Sequence, residues 1–312
     1  MLPLVSIITV NYDQPEVTCA LLASLRRLTY PRVEVLVVDN ASPTRDPAPI
    51  AARFPEVQLL RSARNLGFAG GNNLGLRAAR GEYVLFVNND TEVEPGLLEP
   101  LLAVFESQPR AGIVSPKIIY HYSANRLIQY AGCRGISPWT GRGRTIGSQQ
   151  PDHGQYDDSY RTQLAHGACM LLPMRVIRQV GLMPEQYFLY YEEHDWCQMV
   201  LRAGYECHYV GSTCVYHKES VSVGRASVLQ TRYQFRNRLL YMRRNLRGGQ
   251  FWVAALYFLL VAVPWHTLRL GRRGQWGHLR ALWRGLAWHL RARHVHRNQF
   301  LAAHSRPGSI AA

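Results

Sequence analysis

Residues 83–90 read Tyr-Val-Leu-Phe-Val-Asn-Asn-Asp. An apolar run of β-branched and aromatic residues is a strand buried on both faces, as inside a parallel sheet. It stops abruptly at two amides and a carboxylate, Asn88, Asn89 and Asp90. Open α/β sheets bind ligands at the carboxyl edge of their strands, and this strand delivers a charged oxygen ligand to that edge. The competing reading is a plain turn, with Asp90 capping the helix that follows Pro95.

The preceding segments alternate strand and helix. Residues 4–10 are strand-like and lack the basic region and cleavage site of a signal peptide. Pro15 opens a helix with Val17, Leu21, Leu25 and Leu28 at helical spacing. Residues 33–38 and 57–60 are further strands. Residues 64–73 form a Gly- and Asn-rich loop, followed by a helix that Gly81 ends. This rhythm predicts an α/β fold with a doubly wound, mostly parallel, Rossmann-like sheet.

Three loops on the carboxyl edge carry polar residues: Asn11 with Tyr12, Asp39 with Asn40, and Asn88 to Asp90. Each alone is ordinary turn chemistry; together they suggest a nucleotide crevice. The first strand-to-helix turn has no G-x-G-x-x-G and carries Pro15 instead, and no Walker A loop is present. A divalent metal on Asp90 is the economical way to neutralise a diphosphate there.

Val-Ser-Ile-Ile-Thr-Val-Asn-Tyr from residue 5, Val-Val-Asp-Asn-Ala-Ser from 37, Arg-Asn-Leu-Gly-Phe-Ala-Gly-Gly-Asn-Asn from 64 and Phe-Val-Asn-Asn-Asp-Thr from 86 resemble the family-two inverting glycosyltransferases. The similarity is to their rhamnosyltransferase-like and galactofuranosyltransferase-like branch, and it covers roughly residues 4–220. It implies the GT-A fold. It places Tyr12 and Asp39 in a nucleoside pocket, with Asn11, Asn40, Asn65, Gly67 and Asn72 on the donor side. Asn88, Asn89 and Asp90 then hold the D-x-D-like position, Asp90 as ligand of Mg2+ or Mn2+. Many relatives carry two or three carboxylates here; this chain carries one.

Farther on, residues 95–107 read as a helix and 112–115 as a short strand. Periodicity fails from 120 to 164, marking either an acceptor-side loop or a surface excursion. The resemblance puts Gly167 near the donor sugar. Residues 187–197 run four aromatics into Glu192, Glu193 and Asp195. Such charge beside aromatic bulk is a working site, or a solvated helix start whose acids suit the macrodipole. The segment resembles the family's aromatic-Glu-Asp-x-Asp motif, whose second acid is the catalytic base. By position that is Glu193, a Glu where Asp is usual, with Asp195 the alternative base and Glu192 a donor-side partner. Residues 205–210 and 215–217 read as two strand runs. By the resemblance His217 lies near the diphosphate or metal, and Lys218 and Arg225 would add positive charge.

Net charge is +15, but the excess is confined to one end. The first 219 residues hold 20 basic and 21 acidic side chains; beyond Glu219 there is no acid and there are 16 arginines. Such a tail suits an anionic membrane surface; long apolar runs between the arginines argue against nucleic acid. Residues 251–263 are apolar but short for a span and are interrupted by Pro264, which favours a shallow or re-entrant helix over a true span. Trp276, Leu279, Trp283, Leu286 and Leu290 at helical spacing, with arginines on another face, predict an interfacial amphipathic helix. A packed C-terminal subdomain or oligomer interface is the competing reading. Six cysteines without a C-x-x-C pair read as reduced thiols of a cytosolic protein.

The expected organisation is a GT-A domain over 1–225, a basic, apolar helical membrane-associating region over 226–300 and a disordered tail over 301–312. The expected activity is inverting, non-processive transfer of a sugar from dTDP-rhamnose or a UDP-sugar to a polyprenyl-linked or envelope glycan. It would occur in the cytoplasm, on the inner face of the membrane. The alternative is a non-catalytic, sugar-nucleotide-binding or scaffolding paralogue.

Overall fold

The computed structural model describes residues 1–218, 227–292 and 295–296. Strands β1 (Val5–Asn11), β2 (Val33–Asp39), β3 (Gln58–Arg61) and β4 (Tyr83–Val87) alternate with helices α1 (Pro15–Leu25), α2 (Ala48–Arg53) and α3 (Gly67–Ala78). Next come β5 (Thr91–Val93), α4 (Leu98–Ser107), β6 (Ala111–Tyr120), β7 (Ile128–Tyr130), β8 (Cys133–Ile136), β9 (Gly143–Thr145), β10 (Tyr160–Thr162), β11 (Cys169–Pro173), α5 (Met174–Val180), α6 (Glu192–Arg202) and β12 (Glu206–His217). The main sheet runs β10-β12-β6-β11-β4-β1-β2-β3, with β5 on β12 and β7 on β6. Pairs β4-β1, β1-β2, β2-β3 and β6-β12 are parallel, and β11 is antiparallel to both β4 and β6. The expected doubly wound, mostly parallel sheet is present. Its central strands are mostly apolar because both faces are covered: Val5, Ile7, Ile8, Leu36, Val37, Val38, Val84 and Leu85 are all 0% exposed.

Four local expectations give way to packing. Helix α3 begins inside the expected Gly/Asn loop, so Gly67, Asn72 and Asn73 are helical. The short strand expected over 112–115 is the ten-residue β6, whose polar Ser115 and Lys117 are buried inside it. Residues 120–164 contain four short strands; three-residue strands carry too little periodicity to read. The two runs at 205–210 and 215–217 are one strand, β12, with a register irregularity between Val210 and Cys214.

The chain divides into two units. Among the described residues, 1–135, 145–188 and 192–218 form the first; 136–144, 189–191 and those from 227 onward form the second. The expected boundary near 225, Arg225 itself and the 301–312 tail lie outside the described residues. The second unit is built on α7 (Val228–Asn245), α8 (Gly248–Arg272) and α9 (Trp276–Arg291). Helix α8 is continuous through Pro264, contrary to the expected interruption. Proline lacks an N–H and crowds the carbonyl four residues back, and the helix absorbs this by widening into a π turn over Phe258–Ala262. At 25 residues α8 is long and apolar enough to cross a membrane by length and composition. Leu239, Met242, Ala254, Phe258, Val263 and Leu282 form the unit's core. Trp252, Leu256, Leu260, Trp265 and Leu268 of α8 face outward. So do Trp276, Trp283 and Leu290 of α9, which packs through Ala281, Leu282 and Gly285 instead. Trp276, Leu279, Arg280, Trp283, Arg284 and Ala287 line an open groove of about 570 Å³ on α9.

Candidate functional site

The ends of β1 and β2 are in register, Asn11 opposite Asp39, so parallel pairing alone brings two distant polar residues together. The Asn11 amide donates to Asp39 Oδ1 at 2.8 Å, and the Ser42 hydroxyl donates to the same oxygen at 2.5 Å. Thr18 Oγ1 donates to Asn11 Oδ1, and the Asn89 amide donates to Thr18 Oγ1 at 3.2 Å. Asn89 is therefore bound to the α1 side of this buried network. The carboxylate of Asp13 receives N–H groups of Thr44 and Arg45, tying the loops after β1 and β2 together. Tyr12 sits half-buried in the first of these loops.

Asn40, Asn65 and Gly67 form a second cluster. The Asn40 amide donates to Asn65 Oδ1 and to the Gly67 carbonyl, at 3.1 and 3.0 Å. Gly67 has φ +72°, and a Cβ there would lie 2.2 Å from the Phe188 carbonyl oxygen, so only glycine admits this approach. Asn72 turns its amide back to the Phe68 carbonyl within α3 and is 2% exposed.

The end of β4 meets the end of β12. His217 Nε2 lies 3.1 Å from Asp90 Oδ1 and 3.4 Å from the Asn88 amide nitrogen; His217 Nδ1 lies 2.7 Å from Gln129 Oε1. Gln129 Oε1 accepts from Nδ1–H, and Nε2 faces the Asp90 carboxylate. Two acceptors that close repel unless a proton or cation joins them. Asn88 Oδ1 is buried without a hydrogen-bond partner beside them. The donor set suits a divalent ion: adjacent ligands of an octahedral ion at about 2.1 Å stand about 3 Å apart. Among the described residues no group of three or more His, Cys, Asp or Glu could hold a metal. Asp90 and His217 would thus leave most coordination positions to the Asn88 amide oxygen, water and substrate oxygens.

Glu193 stands at the start of α6. Its carboxylate is half-buried, with Oε1 3.0 Å from His194 Nδ1 and Oε2 buried with no partner. A Cβ on Gly167 would lie 3.4 Å from Glu193 Cγ, so this glycine keeps the space beside the carboxylate open. Burial pushes the Glu193 carboxyl up, but His194 outweighs it and holds the group below the usual range. In turn Glu193 outweighs burial at His194 and raises the imidazole. Glu192 and Asp195 are 2% and 0% exposed, against the interior of the helix start.

His166 joins the two halves. It lies within electrostatic reach of Asp90, His217, Glu193 and His194, with its ring 6.0 Å from that of His217. Burial, with His217 adding, pushes its imidazole down to about 3. It is neutral, and its Nδ1 accepts the Ala168 N–H at 3.1 Å. The motifs of the sequence do not mark His166, His194 or Gln129 as site residues. The two histidines flank Gly167 and Glu193 directly, a signal that was readable; Gln129 lies where periodicity fails. Lys218, expected to contact diphosphate, pairs with Glu92 at 2.9 Å.

The carboxyl edge thus gathers a buried Asn-Asp-Ser network, an Asp-His corner and a glutamate paired with His194, on a fold of the GT-A glycosyltransferase type. The chain belongs to glycosyl transferase family 2, whose model matches residues 6–181. It is 30% identical to the low-salt glycan biosynthesis hexosyltransferase Agl10 of Haloferax volcanii, over 77% of this chain and 76% of that one. It is 28% identical to the N-acetylglucosaminyl-diphospho-decaprenol L-rhamnosyltransferase of Mycobacterium tuberculosis, over 72% and 79%. A further relative, the uncharacterized y4gI of Sinorhizobium fredii, is 30% identical over 80% of this chain, which spans only 28% of that protein. The fold matches GalNAc-T7 with UDP, GalNAc and Mn2+ at TM-score 0.62 and 16% identity, over 78% of this chain and 48% of that one. It matches the Pyrobaculum calidifontis mannosyltransferase with GDP-Man and Mn2+ at TM-score 0.59 and 18% identity, over 98% and 79%.

Proposed function

We propose that the protein transfers one sugar per encounter, with inversion, from a nucleotide-diphosphate-sugar to a hydroxyl of a lipid-linked or cell-envelope glycan. The observation that carries this is Glu193 Oε2, a buried carboxylate oxygen without a partner, beside Gly167 and on the same His166 as Asp90 and His217. Glu193 takes the proton of the acceptor hydroxyl as that oxygen attacks the anomeric carbon. The bond to the donor diphosphate breaks in the same displacement, which inverts the centre. His194 keeps Glu193 ionised and ready to accept the proton. Asp90 and His217, with Asn88 beside them, hold a divalent ion, Mg2+ or Mn2+, which when bound stabilises charge on the leaving diphosphate. Asp39, Asn11, Tyr12 and Ser42 line the nucleoside side, and Asn40, Asn65 and Gly67 set the backbone there. Asp195, fully buried, orients the helix, and Glu193 is the base. The rhamnosyltransferase and hexosyltransferase relatives support a nucleotide-activated rhamnose or hexose as donor, and the diphospho-decaprenol substrate of the former supports a polyprenyl-diphosphate-linked acceptor. The exposed apolar faces of α8 and α9 support attachment to an anionic membrane surface, on the cytoplasmic side where nucleotide-sugars are made.

Thermal shift with nucleotide diphosphates, with and without Mg2+ or Mn2+, tests the donor side. One nucleotide should raise the melting temperature only with metal, and Asp90→Ala should erase that shift. Glu193→Gln should keep the shift yet lose about 10²- to 10⁴-fold in transfer rate. Full transfer by both variants sinks the mechanism. Nucleotide binding without turnover on any lipid-linked acceptor would favour a non-catalytic paralogue.

A further inference from the structure

The second unit holds 14 arginines and not one carboxylate among its described residues, so no acid within the unit neutralises them. Arg238 shows where that matters. It is 6% exposed, its guanidinium lies 4.6 Å over the Phe258 ring, and its Nε donates to the Thr140 carbonyl at 3.0 Å. Phe258 stacks on Phe235 at 5.9 Å, and Phe235 meets the His266 ring edge-on at 5.1 Å. Gly141, at φ +65°, brings the loop so close that a Cβ would lie 3.5 Å from Arg238 Nε, and Arg142 follows it. Arg269 comes three residues after His266 on α8. Arg142, Arg238 and Arg269 all lie within electrostatic reach of the His266 ring. Burial first, with Arg142 adding, holds the Arg238 guanidinium below its ordinary value. Carbonyls and aromatic faces satisfy part of such a group, and an anion would relieve the mutual repulsion of these cations.

We propose that Arg142, Arg238, His266 and Arg269 form a binding site for a lipid-borne phosphate or diphosphate. Guanidiniums match phosphate oxygens in a bidentate fork, and their weak hydration lowers the penalty of desolvation. The chain of the lipid would follow the outward apolar face of α8, where Leu260, Trp265 and Leu268 are exposed. This rests on the lipid-linked acceptor proposed above and assigns the residues that hold its charged head.

The test is calorimetry on the full chain in EDTA, titrated with geranyl diphosphate and with inorganic diphosphate. Substitution of buried Arg238 would disturb the packing on Phe258, so the exposed Arg142→Gln and Arg269→Gln carry the test, with circular dichroism to confirm folding. The expected result is geranyl diphosphate binding at least tenfold tighter than inorganic diphosphate, weakened at least fivefold by either variant. Equal affinity for the two ligands, affinity unchanged in both variants, or no binding of geranyl diphosphate overturns the proposal. Metal-dependent nucleotide binding through Asp90, followed separately without EDTA, reports on the donor site and fails or succeeds independently.

Discussion

At the scale of single residues, the proposed chemistry turns on a neighbouring pair. His194 holds the Glu193 carboxyl below its usual range, although burial acts in the opposite direction. A carboxylate serves as base only above its pKa, so activity is present above that value and is lost as pH falls through it. In His194→Gln the lowering influence goes and burial remains, so the acid limb of the kcat/KM profile should move to higher pH. An unmoved limb would show that another group controls the base. Much of this corner was legible in sequence: Asp90 and Glu193 stand out as carboxylates at the ends of apolar or aromatic runs. The partners that set their behaviour were less so. Gln129 reaches His217 from a three-residue strand, across 88 positions of chain.

At the scale of elements, periodicity foretold the strands and most helices of the first unit, because burial on both faces leaves a continuous apolar record. It failed where packing overrides local preference. Helix α3 starts at glycines and asparagines that read as a loop; Gly67 is needed for the close approach to Phe188, and Asn73 bonds the Met183 backbone in both directions. Helix α9 was read correctly as amphipathic, but it packs through Ala281, Leu282 and Gly285 and leaves Trp276 and Trp283 outside. Removing both tryptophans should therefore spare the fold and weaken lipid binding. With about 1.5–3 kcal/mol at stake per large apolar side chain, Trp276→Ala with Trp283→Ala should lower partitioning onto anionic vesicles at least about tenfold. Sedimentation with vesicles measures it, and unchanged partitioning would assign those side chains to a protein partner.

At the scale of the whole molecule, the sequence separates a near-neutral catalytic part from a cationic part, and the structure divides along similar lines. What composition does not convey is that residues 136–144 and 189–191, far from the tail in sequence, group with it. Tyr190 and Tyr191 have φ +69° and +76°, a conformation that side chains resist, and the Asn237 amide donates to the carbonyls of Leu189 and Tyr190. Residues 189–191 are thus held within the second unit by helix α7. Vesicle binding by the intact chain should fall steeply between 0.1 and about 0.5 M salt, because exposed charges lose their reach as the screening length contracts. Salt-independent binding would mean that apolar burial alone holds the protein.

The lack of any acid after Glu219 also fixes how the tail can be governed. Guanidinium stays protonated throughout the physiological range, and there is no carboxylate to gain or lose a proton against it. Titration with acid leaves the arginine charge untouched. Only the six histidines beyond Glu219 add charge as pH falls, so the proposed attachment can tighten but not loosen on acidification, and it answers to ionic strength and to the anionic lipid content of the surface it meets.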